Sequence, residues 1–197
     1  MNVDHLKIDI IRPVLKKMGR WSKAAEELLL LTCAQESHGA EYLHQINGLA
    51  LGIYQMEPRT HDDNWENYLA YHYDGLAEKI WDMAFPGTIG FMNRLRDACD
   101  KIETLPASQL QTDISEAVSG VTFDMQQLTR WPDPSIMKWN LHYATAMARC
   151  SYLRHSESLP EADDIEGLAK YYKKYYNTPK GAATVEQAIS NYERFMK

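Results

Sequence analysis

Residues 28–60 read LLLLTCAQESHGAEYLHQINGLALGIYQMEPRT and join the most apolar part of the chain to a glycine-rich segment. Ser22 stands just before the apolar part and predicts an N-cap, so a helix is expected from about Lys23 to Glu36. Its apolar positions cover most of its circumference, which predicts a central, buried helix. Glu36 is therefore expected to place a carboxyl group at the exit of a dry and rigid element.

Helical periodicity dominates the rest of the chain. Further helices are predicted at about 7–18, 60–71, 88–103, 108–129, 134–156, 164–176 and 185–196. Three residue pairs have the capping-box spacing that opens a helix: Thr60 with Asp63, Asp163 with Glu166, and Thr184 with Gln187. Strand signals are scarce. The predicted fold class is mainly α, with at most a small β element near residues 40–55.

Size and charge narrow the classes of protein that need to be considered. A chain of 197 residues favours a single domain over residues 1–197, with the N-terminal helix (1–20) and the C-terminal helices (160–197) as extensions. A net charge of −6 is the opposite of a basic nucleic-acid-binding footprint, so no nucleic-acid partner is expected. The first residues resemble no secretory signal peptide. The longest apolar run is too short for membrane insertion.

Cysteines and histidines give no metal signature. The three cysteines, Cys33, Cys99 and Cys150, lie in largely apolar helical stretches and lack CxxC spacing, which predicts reduced core residues. Neither an HExxH motif nor a His/Cys cluster with ligand spacing is present in the sequence. No metal and no other cofactor is therefore expected.

The chemistry expected around Glu36 follows from its setting. A carboxyl group beside an apolar core is poorly solvated, which raises its pKa and lets it hold a proton near neutrality. Such an acid can donate its proton to a leaving oxygen. Ser37 could bond this carboxyl or a sugar, Gly52 lets backbone approach a ligand, and Gln55 offers a neutral donor and acceptor. Aromatic faces suited to sugar rings come from Tyr42, Tyr54, Trp65 and Tyr68. The competing interpretation is a plain solvent-facing glutamate.

Two short segments resemble the lytic transglycosylase and goose-type lysozyme superfamily. Gln35-Glu36-Ser37 at a helix end is followed by ALGIYQMEPRT at residues 50–60. The family pattern is a Glu–Ser pair ending the core helix, then a Gly-Leu-Met-Gln-like segment, often followed by Pro-x-Thr. The resemblance covers residues 35–60 and implies a lysozyme-like, mainly helical domain. Small members without signal peptides look most like phage-encoded proteins, which implies a place in the host cytoplasm or the virion and action on the bacterial cell wall.

The resemblance also implies roles for individual residues. Glu36 matches the catalytic general acid/base and Gln55 matches the glutamine of the cleft floor. A third family motif, Ala-Tyr-Asn-Ala-Gly, is answered by HYATA at residues 142–146, where Tyr143 corresponds to the tyrosine and alanines replace the asparagine and glycine. The expected substrate-binding residues are Ser37, Gly52, Ile53, Tyr54, Gln55 and Tyr143. The tyrosines at 171, 172, 175 and 176 carry no recognisable motif and are interpreted as packing residues.

The expected reaction is cleavage of the β-1,4 bond between N-acetylmuramic acid and N-acetylglucosamine, with peptidoglycan glycan strands as the partner. Hydrolysis usually needs two carboxylates flanking the bond, whereas a lytic transglycosylase needs only one. Glu57 is the candidate second catalytic carboxylate because goose-type lysozymes tend to carry an aspartate at its position, two residues after Gln55. Hydrolase and transglycosylase both stay open. The alternative is a lysozyme-fold structural or binding component of a phage particle, with virion proteins as partners and little or no activity.

Overall fold

The computed structural model describes residues 1–72, 74–87, 131–179 and 181–196. The chain begins with α1 (Val3–His5), which continues through a π-helical segment, Leu6–Ile11, into α2 (Arg12–Met18). The later α-helices are α3 (Lys23–Ser37), α4 (Pro58–Asn67), α5 (Leu76–Ala84), α6 (Leu141–Leu153), α7 (Ile165–Tyr175) and α8 (Val185–Met196). Short 3-10 helices span Leu69–Tyr71 and Pro134–Lys138.

The described residues confirm the predicted mainly-α fold class. Their β structure consists of two isolated antiparallel bridges, His44 with Leu51 and Leu51 with Met56. Both bridges lie at the predicted place near residues 40–55. The connection between α3 and α4 is therefore built from turns, and these two bridges are its strand-like pairing.

Helix α3 is the centre of the fold, as its apolar pattern predicts. The Ser22 hydroxyl caps it by accepting a hydrogen bond from the Ala25 amide at 3.0 Å. Leu28–Leu31 are all buried, so the helix is enclosed on every side over this stretch. It contacts α6, α7 and α8. It ends at Ser37, and His38 follows in the left-handed region with φ 51°.

The terminal helices belong to the same apolar core as α3. Leu6 and Leu15 from the N-terminal helices share one buried cluster with Leu168 and Tyr192 from α7 and α8. The buried Glu27 of α3 links the two ends, because Lys7 pairs with its Oε1 at 2.5 Å and the Tyr192 hydroxyl donates to its Oε2 at 2.6 Å. The helices of 1–20 and 160–197 are thus packed against α3, insofar as these ranges are described.

Several helix boundaries differ from the sequence-based prediction. The capping box Thr184–Gln187 is confirmed by reciprocal bonds of 2.9 and 3.2 Å. The one expected at Thr60 is wrong, because Pro58 already supplies a favourable first helical residue and α4 starts there. At α7 the cap is Asp164, one residue later than predicted, which accepts from the Gly167 amide at 2.8 Å. The helix predicted over 134–156 is interrupted before Asn140, which caps α6.

Some expectations fall on residues outside the described ranges. The helices predicted at 88–103 and 108–129, and Cys99, lie there. Cys33 and Cys150 are buried and form no disulfide, as predicted. Within the described ranges no group of three or more His, Cys, Asp or Glu side chains could hold a metal ion. None of the described helices combines the length and apolarity needed to cross a membrane.

Candidate functional site

Glu36 lies in the last turn of α3 and faces a cleft of about 940 Å³. This volume is at the upper end of the range of about 300–1,000 Å³ that ligand pockets occupy. One side of the cleft comes from the α3–α4 connection and the start of α4, and another from the ends of α6 and α7. The described lining residues are Glu36, Gln45, Ala50, Gln55, Met56, Glu57, Thr60, Asn64, Ser151, Arg154, His155, Tyr175–Thr178, Gly181 and Ala182.

The carboxyl group of Glu36 is half-buried and has one hydrogen-bond partner among the described side chains. The Tyr172 hydroxyl donates to its Oε1 at 2.5 Å. Burial raises the pKa of Glu36 to about 7, and the bond from Tyr172 opposes this rise without cancelling it. Tyr172 itself is fully buried on α7, and burial together with the adjacent Glu36 carboxylate raises the pKa of its hydroxyl. Tyr172 is therefore a permanent hydrogen-bond donor.

This pairing decides where Glu36 carries its proton. Because Tyr172 donates to Oε1, that oxygen acts as an acceptor in both protonation states of the acid. The dissociable proton of Glu36 is then best placed on Oε2. A pKa of about 7 leaves a substantial share of both forms near neutral pH, so the same group can give a proton and take one back.

Ser37 fixes the end of α3 against the cleft floor. Its hydroxyl is fully buried and donates to the Ile53 carbonyl at 2.6 Å. The same oxygen accepts a hydrogen bond from the Ala40 amide at 3.1 Å, at the start of the connection between α3 and α4. The residue next to Glu36 is thus bonded directly to the GIYQ segment (residues 52–55). This bond fixes the position of the end of α3 relative to that segment.

The floor is a tight turn over residues 51–56. Paired bonds of 2.9 and 3.0 Å between the Leu51 and Met56 backbones close this turn. Gly52 has φ 71°, and a Cβ atom at this position would lie 2.5 Å from the Met137 carbonyl oxygen. Gln55 also has positive φ, 47°, and its side-chain NH₂ donates to the Gly52 carbonyl at 2.8 Å. These bonds hold Gln55 at the cleft, and its amide oxygen has no hydrogen-bond partner among the described residues.

Three of the predicted site residues meet in this cleft: Glu36, Gln55 and Glu57. Glu57 is exposed and occupies the N-cap position of α4, where its side chain makes no capping bond. The carboxyl groups of Glu36 and Glu57 therefore sit in opposite environments, one beside the core and one in water. The geometry leaves Glu57 available as a second carboxylate of the cleft.

The other predicted substrate-binding residues are buried and do not line the cleft: Ser37, Gly52, Ile53, Tyr54 and Tyr143. The Tyr54 hydroxyl bonds Thr145 Oγ1 at 3.2 Å. The Tyr143 hydroxyl accepts from Trp65 Nε1 at 2.9 Å and lies 2.6 Å from His61 Nε2. Their rings pack in the core because burying aromatic surface is favourable once each hydroxyl has a partner. The structure places these five residues as support for the site.

The sequence-based prediction missed the tyrosines after α6. Tyr172 bonds Glu36, and Tyr175 and Tyr176 line the cleft together with Asn177. The Tyr176 hydroxyl donates to the Tyr54 carbonyl at 2.9 Å, which fixes this wall to the floor. Residues 142–146, by contrast, do not line the cleft. The signal available in the sequence was a run of tyrosines followed by Asn177 at the end of an amphipathic helix.

Lys173 binds the chain that follows Tyr176. Its Nζ donates to Asn177 Oδ1 at 2.9 Å, to the Thr178 carbonyl at 2.9 Å and to the Gly181 carbonyl at 2.8 Å. Three donors are the full capacity of an ammonium group, so this lysine is saturated. The backbone at Thr178 and at Gly181 is therefore held in place, although the described residues there belong to no helix or strand.

Another part of the cleft lining carries positive charge. Arg154 Nη1 pairs with Asp63 Oδ2 and donates to Asn64 Oδ1 at 3.0 Å. Asn64 is buried and its NH₂ donates to Ser151 Oγ at 2.9 Å, so the arginine is attached to a fixed group. His155 stacks on Tyr175 with ring centroids 4.1 Å apart. Partial burial and the nearby Arg154 and Lys174 lower the pKa of His155, so its ring is mainly neutral at pH 7.

Comparisons of this chain with protein-family models, with curated proteins and with solved structures found no match. The site is therefore interpreted from its own geometry. It combines a half-buried acid that titrates near neutrality, a fixed hydrogen-bond donor to that acid, and a large cleft with polar and aromatic lining residues. This arrangement suits the transfer of a proton to and from a large, polar ligand.

Proposed function

We propose that this protein cleaves the β-1,4 glycosidic bonds of peptidoglycan glycan strands, with Glu36 as general acid and base. The observation that carries the proposal is a half-buried carboxyl group with a pKa of about 7, facing a cleft of about 940 Å³. Carboxylic acids with raised pKa values are the usual proton donors to a departing sugar oxygen. The Glu–Ser and GIYQ segments, which resemble those of lytic transglycosylases, support the same reaction.

In the proposed reaction Glu36 Oε2 gives its proton to the glycosidic oxygen as the bond to the anomeric carbon breaks. Tyr172 keeps its bond to Oε1 throughout and stabilises the carboxylate that this step creates. Gln55 presents an amide oxygen to a sugar hydroxyl or amide N–H. Tyr175 and Tyr176 form an aromatic part of the cleft lining next to the acid. The Glu36 carboxylate then accepts a proton from the attacking oxygen, which restores the acid.

The attacking oxygen determines the product. If it is the 6-hydroxyl of the muramic acid itself, Glu36 alone completes the reaction and a 1,6-anhydro sugar forms. If it is water, a second carboxylate usually positions it, and Glu57 is the described candidate. The pKa of about 7 suits a group that serves first as acid and then as base. Glu57 is exposed and makes no capping bond that would fix its carboxyl group, so we propose the anhydro product as the main one.

A wall-lysis experiment tests the proposal. Purified wild-type protein, Glu36→Gln and the exposed-site control Glu166→Gln are added to isolated peptidoglycan, and the released fragments are weighed by mass spectrometry. We expect clearing by the wild type and the control, strong loss in Glu36→Gln, and fragments one water lighter than reducing-end products. Equal clearing by wild type and Glu36→Gln would exclude Glu36 as the acid. No clearing by any of the three would favour a structural component of a phage particle.

A further inference from the structure

Arg154 is the one arginine among the described lining residues of the cleft, and the site chemistry above does not use it. Its Nη1 is committed to Asp63 and to Asn64 Oδ1, the latter at 3.0 Å. Its Nε and Nη2 form no hydrogen bond with any described residue. An arginine anchored through one nitrogen keeps its guanidinium plane fixed. The remaining N–H groups, on Nε and Nη2, form the parallel pair that matches a carboxylate bidentately.

The anchor of this arginine is itself rigid. Asn64 is fully buried on α4, and its NH₂ group bonds Ser151 of α6 at 2.9 Å. Asp63 precedes it on the same helix, and the pairing with Arg154 lowers the pKa of that carboxyl group. Arg154 therefore ties α4 to the end of α6 at the cleft. Fixing the side chain beforehand reduces the conformational entropy that a ligand would have to remove on binding.

The negative charge of the whole molecule bears on the role of Arg154 in the cleft. The chain carries a net charge of −6, and the carboxyl groups of Glu36 and Glu57 also face the cleft. An anionic ligand thus gains nothing from the overall field and is accepted only where a cation is presented directly. A neutral glycan backbone needs no such cation. Arg154 is therefore the place in the described lining that suits a carboxylate carried beside the sugars.

We propose that Arg154 determines specificity by binding a carboxylate on the substituent of the muramic acid residues, and this inference rests on the proposed function. The shared chemistry is a carboxylate, and it has two sources in peptidoglycan: the stem peptide, or the bare lactyl group of strands that have lost their peptides. Arg154 Nε–H and Nη2–H donate to the two carboxylate oxygens. The glycan is thereby held in the cleft while Glu36 acts on the glycosidic bond.

The test uses two substrates, peptide-bearing glycan strands and strands stripped of peptides by an amidase, each in native form and with carboxyl groups converted to methylamides. Initial rates give kcat/KM for the wild type, Arg154→Gln, Arg154→Lys and a control, Arg20→Gln. Arg20 pairs with Asp74 in a comparable partly exposed arginine–aspartate bridge and does not line the cleft. Thermal unfolding of each variant verifies that it is folded.

We expect the wild type and Arg20→Gln to prefer native over amidated substrate by about tenfold or more, which corresponds to a hydrogen-bonded charge pair. Arg154→Gln should lose this preference, and Arg154→Lys should retain only part of it. The substrate on which the preference depends on Arg154 identifies the source of the carboxylate. If the wild type is active and Arg154→Gln shows an unchanged preference, the inference is overturned while the proposed function stands. If the wild type cleaves neither strand, the proposed function falls and the inference with it.

Discussion

Glu36 and Glu57 line the same cleft from two different kinds of structure. Glu36 lies in the last turn of a buried helix, receives a bond from a buried tyrosine and has a pKa of about 7. Glu57 stands exposed at the start of α4, next to the turn that forms the cleft floor. Two identical side chains thus obtain different chemistry from their surroundings. Burial beside α3, and not the presence of a carboxyl group, raises the pKa of Glu36 and suits it to the proposed role of acid.

The largest expected effect comes from removing the carboxyl group of Glu36. Glu36→Gln keeps the shape of the side chain and removes its dissociable proton, so wall cleavage should fall by about 10²–10⁴-fold, the usual contribution of general acid–base catalysis. Glu57→Gln should lower the rate by less than about tenfold if the product is an anhydro sugar, since a second carboxylate then makes no essential contribution. The measurement is kcat/KM for fragment release from isolated walls.

The same pair of variants also has an outcome that would reverse the assignment. A loss in Glu57→Gln as large as that in Glu36→Gln, with reducing-end fragments from the wild type, would make the two carboxylates partners in hydrolysis. Mass spectrometry of the fragments separates the two mechanisms independently of the rates.

The next effect concerns the stability of the cleft floor at residues 51–56. Gly52→Ala places a methyl group 2.5 Å from the Met137 carbonyl oxygen at φ 71°, whereas Gly19→Ala has nearly the same φ, 70°, and nothing within 4 Å. The left-handed backbone alone should cost about 1–2 kcal/mol in both variants. The clash should add about 1–3 kcal/mol in Gly52→Ala alone. Urea unfolding of both variants measures the difference, and equal losses would show that the floor can relax.

The stability of the folded protein should also depend on pH, because burial beside the core disfavours the charged form of Glu36. The ordinary pKa of 4.5 rises to about 7 in the folded protein, so the folded state binds a proton that the unfolded state releases between these values. This contribution to stability is fully present below pH 4.5, declines as the pH rises, and is lost above pH 7. Above pH 7, Glu36→Gln should therefore be more stable than the wild type by about 1–3 kcal/mol, a range lowered for partial exposure.

Unfolding measured at pH 4, 6 and 8 tests this sign. The stability of Glu36→Gln relative to the wild type should increase from pH 4 to pH 8. Glu41→Gln, which removes an exposed carboxylate from the neighbouring connection, controls for the change in net charge. A difference between Glu36→Gln and the wild type that is independent of pH would contradict the raised pKa.

The smallest expected effect comes from removing the hydroxyl group that bonds Glu36. Tyr172→Phe removes the hydrogen bond that opposes the rise in the Glu36 pKa, so that pKa should rise further. The alkaline limb of the pH–rate profile, where the acid form is lost, should move to higher pH, and activity should fall by about tenfold from the loss of one bond to the carboxylate. Tyr171→Phe is the matched control, because the Tyr171 hydroxyl donates to the Glu157 carbonyl at 3.0 Å instead. A profile that does not move would show that Tyr172 only supports the packing of α7.

Much of the fold could be predicted because it is locally encoded. The apolar circumference of α3 and the caps at Ser22 and Thr184 depend on residues close in sequence, and each is found as expected. The start of α4 was missed because Pro58 outweighed the more familiar spacing from Thr60. Local patterns therefore predict that a helix exists better than they predict its first residue.

The site was predictable only where the sequence resembles a known pattern. Glu36, Gln55 and Glu57 do line the cleft, whereas Tyr143 lies in the core with its hydroxyl bonded to Trp65. The Tyr172–Glu36 bond joins residues far apart in the chain, and no local pattern distinguishes that tyrosine from its neighbours on α7. A helix with several tyrosines indicates burial, but which of them reaches the acid depends on how the helix packs against α3.

The separation of Glu36 from its tyrosine makes the candidate site depend on the far end of the chain. The bond from Tyr172 to Glu36 spans 136 positions of the chain, and the bond from Tyr192 to Glu27 spans 165. Contacts of such long range close a large loop, so they exist only when the C-terminal helices are packed against α3. The hydrogen bond that opposes the rise in the Glu36 pKa therefore requires α7 to be docked onto α3. The proposed reactivity of Glu36 thus depends on helices from the far end of the chain as well as on its own helix.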